Sequence, residues 1–218
     1  FPTRRSSDLS MDFRYDVVTA DEYDRLRSLY GPLADSIRRL VSAGVHTDVD
    51  QDAVRQAHAA IDAVTEMLER KQRTVTTLVH EGTGRPLPWA NPAVGLRNAI
   101  APPMEVRYED DGRCWSEFTL GPAYEGPPGW VHGGICALVL DHILGEAATD
   151  GLLEPKFTGT ITLRYLRGTP LGPLRAEAYI DRSEGAKTYA RGYLSDADGV
   201  TVEAEGVFIV PAWARDAG

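Results

Sequence analysis

The chain has 218 residues, 43% of them hydrophobic and 25% charged, with a net charge of −9, which suits one domain with a good core, or one domain with a helical appendage. A chain this acidic lacks the basic face that phosphate binding requires, which excludes nucleic acid as a main partner, and no uninterrupted apolar run is long enough to cross a bilayer. Cys114 and Cys136 make no disulfide framework, no Cys/His spacing suggests a zinc site, and with no signal peptide the expected location is cytoplasmic.

Phe1–Leu9 matches an in-frame translation of a common sequencing-library adapter, so residues 1–10 are set aside from the fold and Met11 becomes a candidate start. Residues 11–80 read as an N-terminal helical extension. Thr19-Ala20-Asp21-Glu22 is a capping box, followed at helical spacing by Tyr23, Leu26, Leu29, Leu33, Ile37 and Leu40. Gly31-Pro32 should kink or split this helix, and Gly44 should stop it. A second helix is expected over 51–72, with Val54, Ala57, Ile61, Val64 and Leu68 as its apolar stripe; the pair is expected to pack on the main domain. Residues 81–103 hold five prolines and three glycines and read as a linker or wrapping loop.

Over 104–213 the period changes to two. Met104–Glu109 and Arg113–Leu120 are candidate strands, then a Gly/Pro-rich loop over 121–130 leads into an apolar helix that begins behind His132. Four strand-like runs follow: Phe157–Arg167, Leu174–Arg182, Lys187–Leu194 and Val200–Val210. Their short turn-forming breaks favour antiparallel neighbours, so this tail is expected to be a meander. A helix over Gly134–Ala148 that is apolar almost all round in its first half, between strands, is one wrapped by a sheet. The fold class is α+β, an antiparallel sheet around a central helix, in the order of a hotdog fold.

The chemistry concentrates in Val131-His132-Gly133-Gly134 and in Asp141. A helix N-terminus leaves backbone N–H groups unpaired, glycine lets a substrate oxygen approach them, and the dipole adds positive potential there. This is an oxyanion-binding arrangement with an acid nearby to activate water. Taken singly, each residue has a plainer reading. His132 is a structural histidine, the glycines a tight helix entry, and Asp141 a member of a solvated stripe with His142, Gly145, Glu146 and Thr149. His132 and Asp141 lie nine residues apart, about 13 Å along a helix and on nearly opposite faces. One chain does not bring both to one atom, whereas a two-fold dimer does, so composite sites at a homodimer interface are expected.

The whole set resembles the hotdog acyl-CoA thioesterases of the phenylacetate-pathway type, whose pattern is His-Gly-Gly with an aspartate nine places after the histidine. Glu125-Gly126-Pro127-Pro128-Gly129-Trp130-Val131 looks like the branch that includes animal thioesterase-superfamily members four and five. Phe157-Thr158 and Tyr165-Leu166-Arg167-Gly168-Thr169-Pro170 also fit, and the likeness spans roughly Asn91 to Pro211. It implies Asp141 as general base or nucleophile, and the Gly133 N–H, alone or with Gly134, as oxyanion donor from the partner chain. By the same likeness Thr158 positions water and His132 shapes the helix entry. Some members carry asparagine where this chain has Gly126. Arg164, Arg167, Lys187 and Arg191 are candidates to meet the phosphates of coenzyme A, and read equally as solvated strand residues.

The resemblance implies an acyl-CoA substrate, with a medium, long or aromatic acyl group, no cofactor, and a homodimer or dimer of dimers. Two other functions compete. A non-catalytic acyl-CoA sensor with a DNA-reading segment is disfavoured because residues 11–73 carry nine basic and twelve acidic residues. A hotdog hydratase or dehydratase would need other His/Asp or His/Glu patterns, which are not found.

Overall fold

The computed structural model describes residues 15–73 and 77–215; the adapter-like segment and Met11 lie outside them. Strand β1 (Tyr15–Val18) is followed by α1 (Ala20–Val45) and α2 (Gln51–Glu69), and then by β2 (Thr77–His80) and β3 (Pro86–Leu87). These three strands form a small sheet in the order β1-β2-β3, with β1 parallel to β2. Parallel neighbours need a long crossover, and the two helices lie within it.

The Thr19 hydroxyl accepts the Glu22 N–H at 3.3 Å, and Asp50 caps α2 by accepting the Ala53 N–H at 2.8 Å. Gly31-Pro32, expected to kink or split the first helix, does not split it: α1 runs unbroken for 26 residues with Pro32 inside. It buries Leu26 and Ala34, and Leu26 joins Val18, Leu78 and Trp89 in a small second core. The expectation that both helices pack on the main domain fails for α2. None of its residues is buried, and it packs substantially on no other described element.

The main domain comprises β4 (Arg107–Tyr108), β5 (Cys114–Leu120), α3 (Gly133–Ala148), β6 (Phe157–Tyr165), β7 (Gly172–Glu184), β8 (Lys187–Asp196), β9 (Gly199–Ile209) and a short α4 (Ala212–Arg215). Its six-stranded sheet has the order β4-β5-β7-β8-β9-β6, antiparallel throughout. The meander expected of the last four strands holds for β7-β8-β9 alone. Instead, β6 crosses to the far edge and pairs with β9, because α3 lies between β5 and β6 and carries the chain across the sheet.

The sheet wraps α3. Val139, Leu140, Ile143 and Leu144 are fully buried in one core with Phe118, Leu120, Leu194, Val202 and Phe208. Each such burial stabilises by roughly 1.5–3 kcal/mol. Small residues let the helix sit close to the sheet: Ala176, Ala178, Ala190 and Ala204 face it, and a Cβ on Gly206 would meet the Phe208 ring at 2.6 Å. This is the hotdog arrangement. No helix among the described residues is long and apolar enough to cross a membrane.

Candidate active site

His132 is the N-cap of α3. Its Nδ1 accepts the Gly134 N–H at 3.0 Å, and its backbone N–H donates to the Tyr124 carbonyl at 2.9 Å. Accepting at Nδ1 leaves the proton of a neutral ring on Nε2, on a residue that is exposed. The Gly134 N–H is therefore engaged, while the Gly133 N–H has no partner among the described residues. A helix that begins in this way offers one free donor at its positive end, not two.

The loop before the helix is built around glycine. A Cβ on Gly126 would lie 2.8 Å from the His132 Cα, so an asparagine does not fit here without moving the backbone. Gly168 is held under the Trp130 ring, where a Cβ would approach to 2.5 Å. Glu125 accepts the Gly129 N–H at 2.6 Å and thereby closes the loop.

Asp141 is partly buried on α3 and accepts the Thr158 hydroxyl at 2.9 Å. A register shift between Thr158 and Thr160 marks a β-bulge in β6. In a regular strand Thr158 would face away from Ile161 and Leu163, which pack on the core. The extra residue, Gly159, reverses the alternation and turns Thr158 towards α3. At the other end of β6 the Tyr165 hydroxyl donates to the Gly133 carbonyl at 2.8 Å. One edge strand thus touches both ends of the candidate site. Gly133 and Asp141 remain eight residues apart on α3, about 12 Å along its axis.

The stripe that would have made Asp141 a solvated bystander is not solvated. The His142 and Glu146 side chains are 10% and 5% exposed and hydrogen-bond each other at 2.9 Å. Glu146 also accepts the Tyr108 hydroxyl at 2.7 Å, and Arg85 lies 4.0 Å from the centre of the Tyr108 ring. Burial, then the neighbouring carboxylate, pushes the Tyr108 phenol upward. Both cysteines are buried, and burial pushes the Cys114 thiol up to about 12.

A cleft of about 850 Å³ opens between α1, the β2–β3 hairpin and the end of α3, lined in part by Arg85, Tyr108 and Glu146. It contains none of His132, Gly133, Asp141 or Thr158. The candidate site lies instead along the exposed edge of the sheet. Three of the four candidate phosphate contacts already hold carboxylates: Arg164 with Glu203, Arg167 with Asp196, and Arg191 with Asp181 and Glu205. Lys187 has no ion-pair partner among the described residues. Among those residues no group of three or more His, Cys, Asp and Glu could hold a metal ion.

Tyr165 and Gly159 were not assigned roles from the sequence. A glycine between two threonines in a strand is the signal that points to the bulge. Nothing in the spacing points from Tyr165 to Gly133, which are 32 residues apart.

No protein-family model matches this chain. A crystal structure described as that of a thioesterase superfamily protein is 33% identical, covers 83% of this chain and 90% of its own, and superposes with a TM-score of 0.74. The chain is 32% identical over 95 residues to acyl-coenzyme A thioesterase THEM4 of Xenopus laevis, 42% of each chain. It is 29% identical over 103 residues to acyl-coenzyme A thioesterase THEM4 of Bos taurus, 46% of this chain and 42% of the relative. The matched stretch is about two fifths of the length of these curated relatives.

Proposed function

This chain belongs to the thioesterase superfamily, and from that premise we propose that it hydrolyses acyl-CoA to a free acid and coenzyme A at composite sites between two copies of itself. The observation that carries the reading is β6, which holds Asp141 through Thr158 at one end and the Gly133 peptide through Tyr165 at the other. Asp141 acts on the thioester carbon as general base or as nucleophile. As base it takes a proton from a water held beside Thr158. Hydroxide adds to the carbonyl carbon, the C–S bond breaks, and the thiolate leaves with the proton. The free Gly133 N–H of the partner subunit receives the developing oxyanion, where a positioned donor is worth the most. His132 fixes the helix entry by capping Gly134.

The backbone supports the pairing that this requires. The Leu166 N–H donates to the Thr201 carbonyl on β9, so alternate residues Ile161, Leu163 and Tyr165 direct their N–H groups outward from the sheet edge. Directly opposed residues of antiparallel strands share a face. A two-fold axis at Thr162 meets both conditions: it sets Ile161 against the copy of Leu163 and, across the bulge, Thr158 against the copy of Tyr165. That brings each Asp141 towards the partner's helix entry. The exposed Phe157 and Tyr165 on this edge would be covered. Of the four candidate contacts for coenzyme A, Lys187 is the one that needs no described ion pair broken.

The test is free-thiol release from short, long and aromatic acyl-CoAs by the wild type beside Asp141→Asn. The buried, raised thiol of Cys114 keeps that side chain out of the readout. Loss of a general base lowers kcat by about 10²–10⁴-fold with the dimer intact. Equal turnover by the two proteins refutes the role of Asp141, and binding without release by the wild type moves the reading to a sensor.

A further inference from the structure

The helix α2 is out of keeping with the rest of the chain. It is 19 residues long, is capped by Asp50, and buries none of its side chains. Isolated helices of this kind are marginal in water, and in proteins an apolar face normally stabilises them by packing. Here Val54, Ile61, Val64 and Leu68 are 41–49% exposed. With Ala57 they recur at spacings of three, four, three and four. That alternation is the seam of a coiled coil, whose knobs fit holes on another helix.

The charges follow the same plan. The positions flanking the seam are Ala53, His58, Ala60, Thr65 and Met67, whereas Asp52, Arg55, Asp62, Glu66 and Glu69 occupy the far side. No carboxylate would oppose its own copy across the seam. The helix carries four carboxylates against one arginine, which is the wrong sign for an anionic lipid surface. The root of α2 is also placed for self-association. Just before it, His46 lies 3.8 Å from Glu125, in the loop that leads into His132. The second chain of the composite site is expected on that flank.

We propose that α2 docks on the α2 of a second copy of this chain, seam to seam, parallel and in register, about a two-fold axis along the seam. In a parallel, in-register pair each seam position meets its own copy, Ile61 at the centre, whereas an antiparallel turn about Ile61 would set Ala57 and Val64 against Thr65 and His58. The contact adds a second self-association surface to the two-chain reading above, and its test does not pass through activity.

The full-length chain carrying Ile61→Cys, mildly oxidised and run on a non-reducing gel, tests it. Facing seam positions lie within the Cα separation a disulfide spans, so most of the chain is expected as covalent dimer. Arg55→Cys, on the polar side, is expected to stay monomeric on the same gel. In parallel, Ile61→Lys is expected to lose helical circular dichroism equivalent to α2 while the melting of the main domain is unchanged, since nothing described in the chain packs on this residue. No Ile61→Cys cross-link, equal cross-linking by Arg55→Cys, or undiminished helicity in Ile61→Lys overturns the proposal, even in a protein that proves to be an active thioesterase.

Discussion

At the level of single residues, the helix entry and the carboxylates of α3 are placed by hydrogen bonds that spacing does not encode. His132-Gly133-Gly134 offers two backbone donors on paper, but the imidazole takes one of them to cap its own helix. The two acids of α3, five residues apart, are also separated in kind by their partners. Asp141 keeps one described hydrogen bond, to an exposed threonine, and stays partly open. Glu146 is enclosed and gives one oxygen to His142 and the other to Tyr108. Removing Glu146 leaves the enclosed His142 without its described partner, while Tyr108, 39% exposed, can turn to water, so Glu146→Ala is expected to cost about 1–3 kcal/mol. Glu146→Gln keeps one acceptor and should cost less. Chemical denaturation of the two variants measures the difference, and equal stabilities would disprove the enclosed network.

At the level of elements, β6 does the most with the least regular geometry. Its bulge takes up Gly159 with Thr158 still facing α3, and a Cβ at Gly159 would lie 2.6 Å from the Ile209 side chain. Deleting Gly159 removes the bulge and sets Thr158 directly before Thr160, still on the face of Ile161, so thiol release is expected to stay well above that of Thr158→Ala. Thiol release in the deletion variant as low as in Thr158→Ala would mean that the bulge itself, and not only the facing of Thr158, is needed beside Asp141. The helices teach a related point. The capping box at Thr19 and the periodicity of both helices were legible, because caps and 3.6-residue spacing are local. That Pro32 would sit inside an unbroken α1 was not: proline forfeits one hydrogen bond, and burial of Leu26 and Ala34 on either side holds the helix together.

At the level of the whole molecule, the self-pairing proposed for β6 about Thr162 makes a prediction that leaves the single chain untouched. Thr162 is exposed on the outer face of an edge strand. Thr162→Arg and Thr162→Glu should each raise the dimer Kd, since like charges directly opposed across strands cost about 0.2–1 kcal/mol. Mixing the two variants should give a heterodimer tighter than either homodimer and recover thiol release. Sedimentation of the separate and mixed variants reads this directly, and identical Kd values for all three would remove the axis from Thr162.

What the sequence determined by itself was local and periodic: the amphipathic and apolar helices, the alternating strands, the histidine–glycine helix entry, and the nine-residue interval from His132 to Asp141. Tertiary structure alone decided that β6 lies at the far edge beside β9, that Tyr165 reaches Gly133, that Glu146 is enclosed, and that α2 stands away from its own domain. The division has a physical cause. Propensity, capping and side-chain alternation act over a few residues and are written in order along the chain. Strand neighbours and packing partners are chosen by which apolar faces can be covered together, over separations as long as the 32 residues between Gly133 and Tyr165.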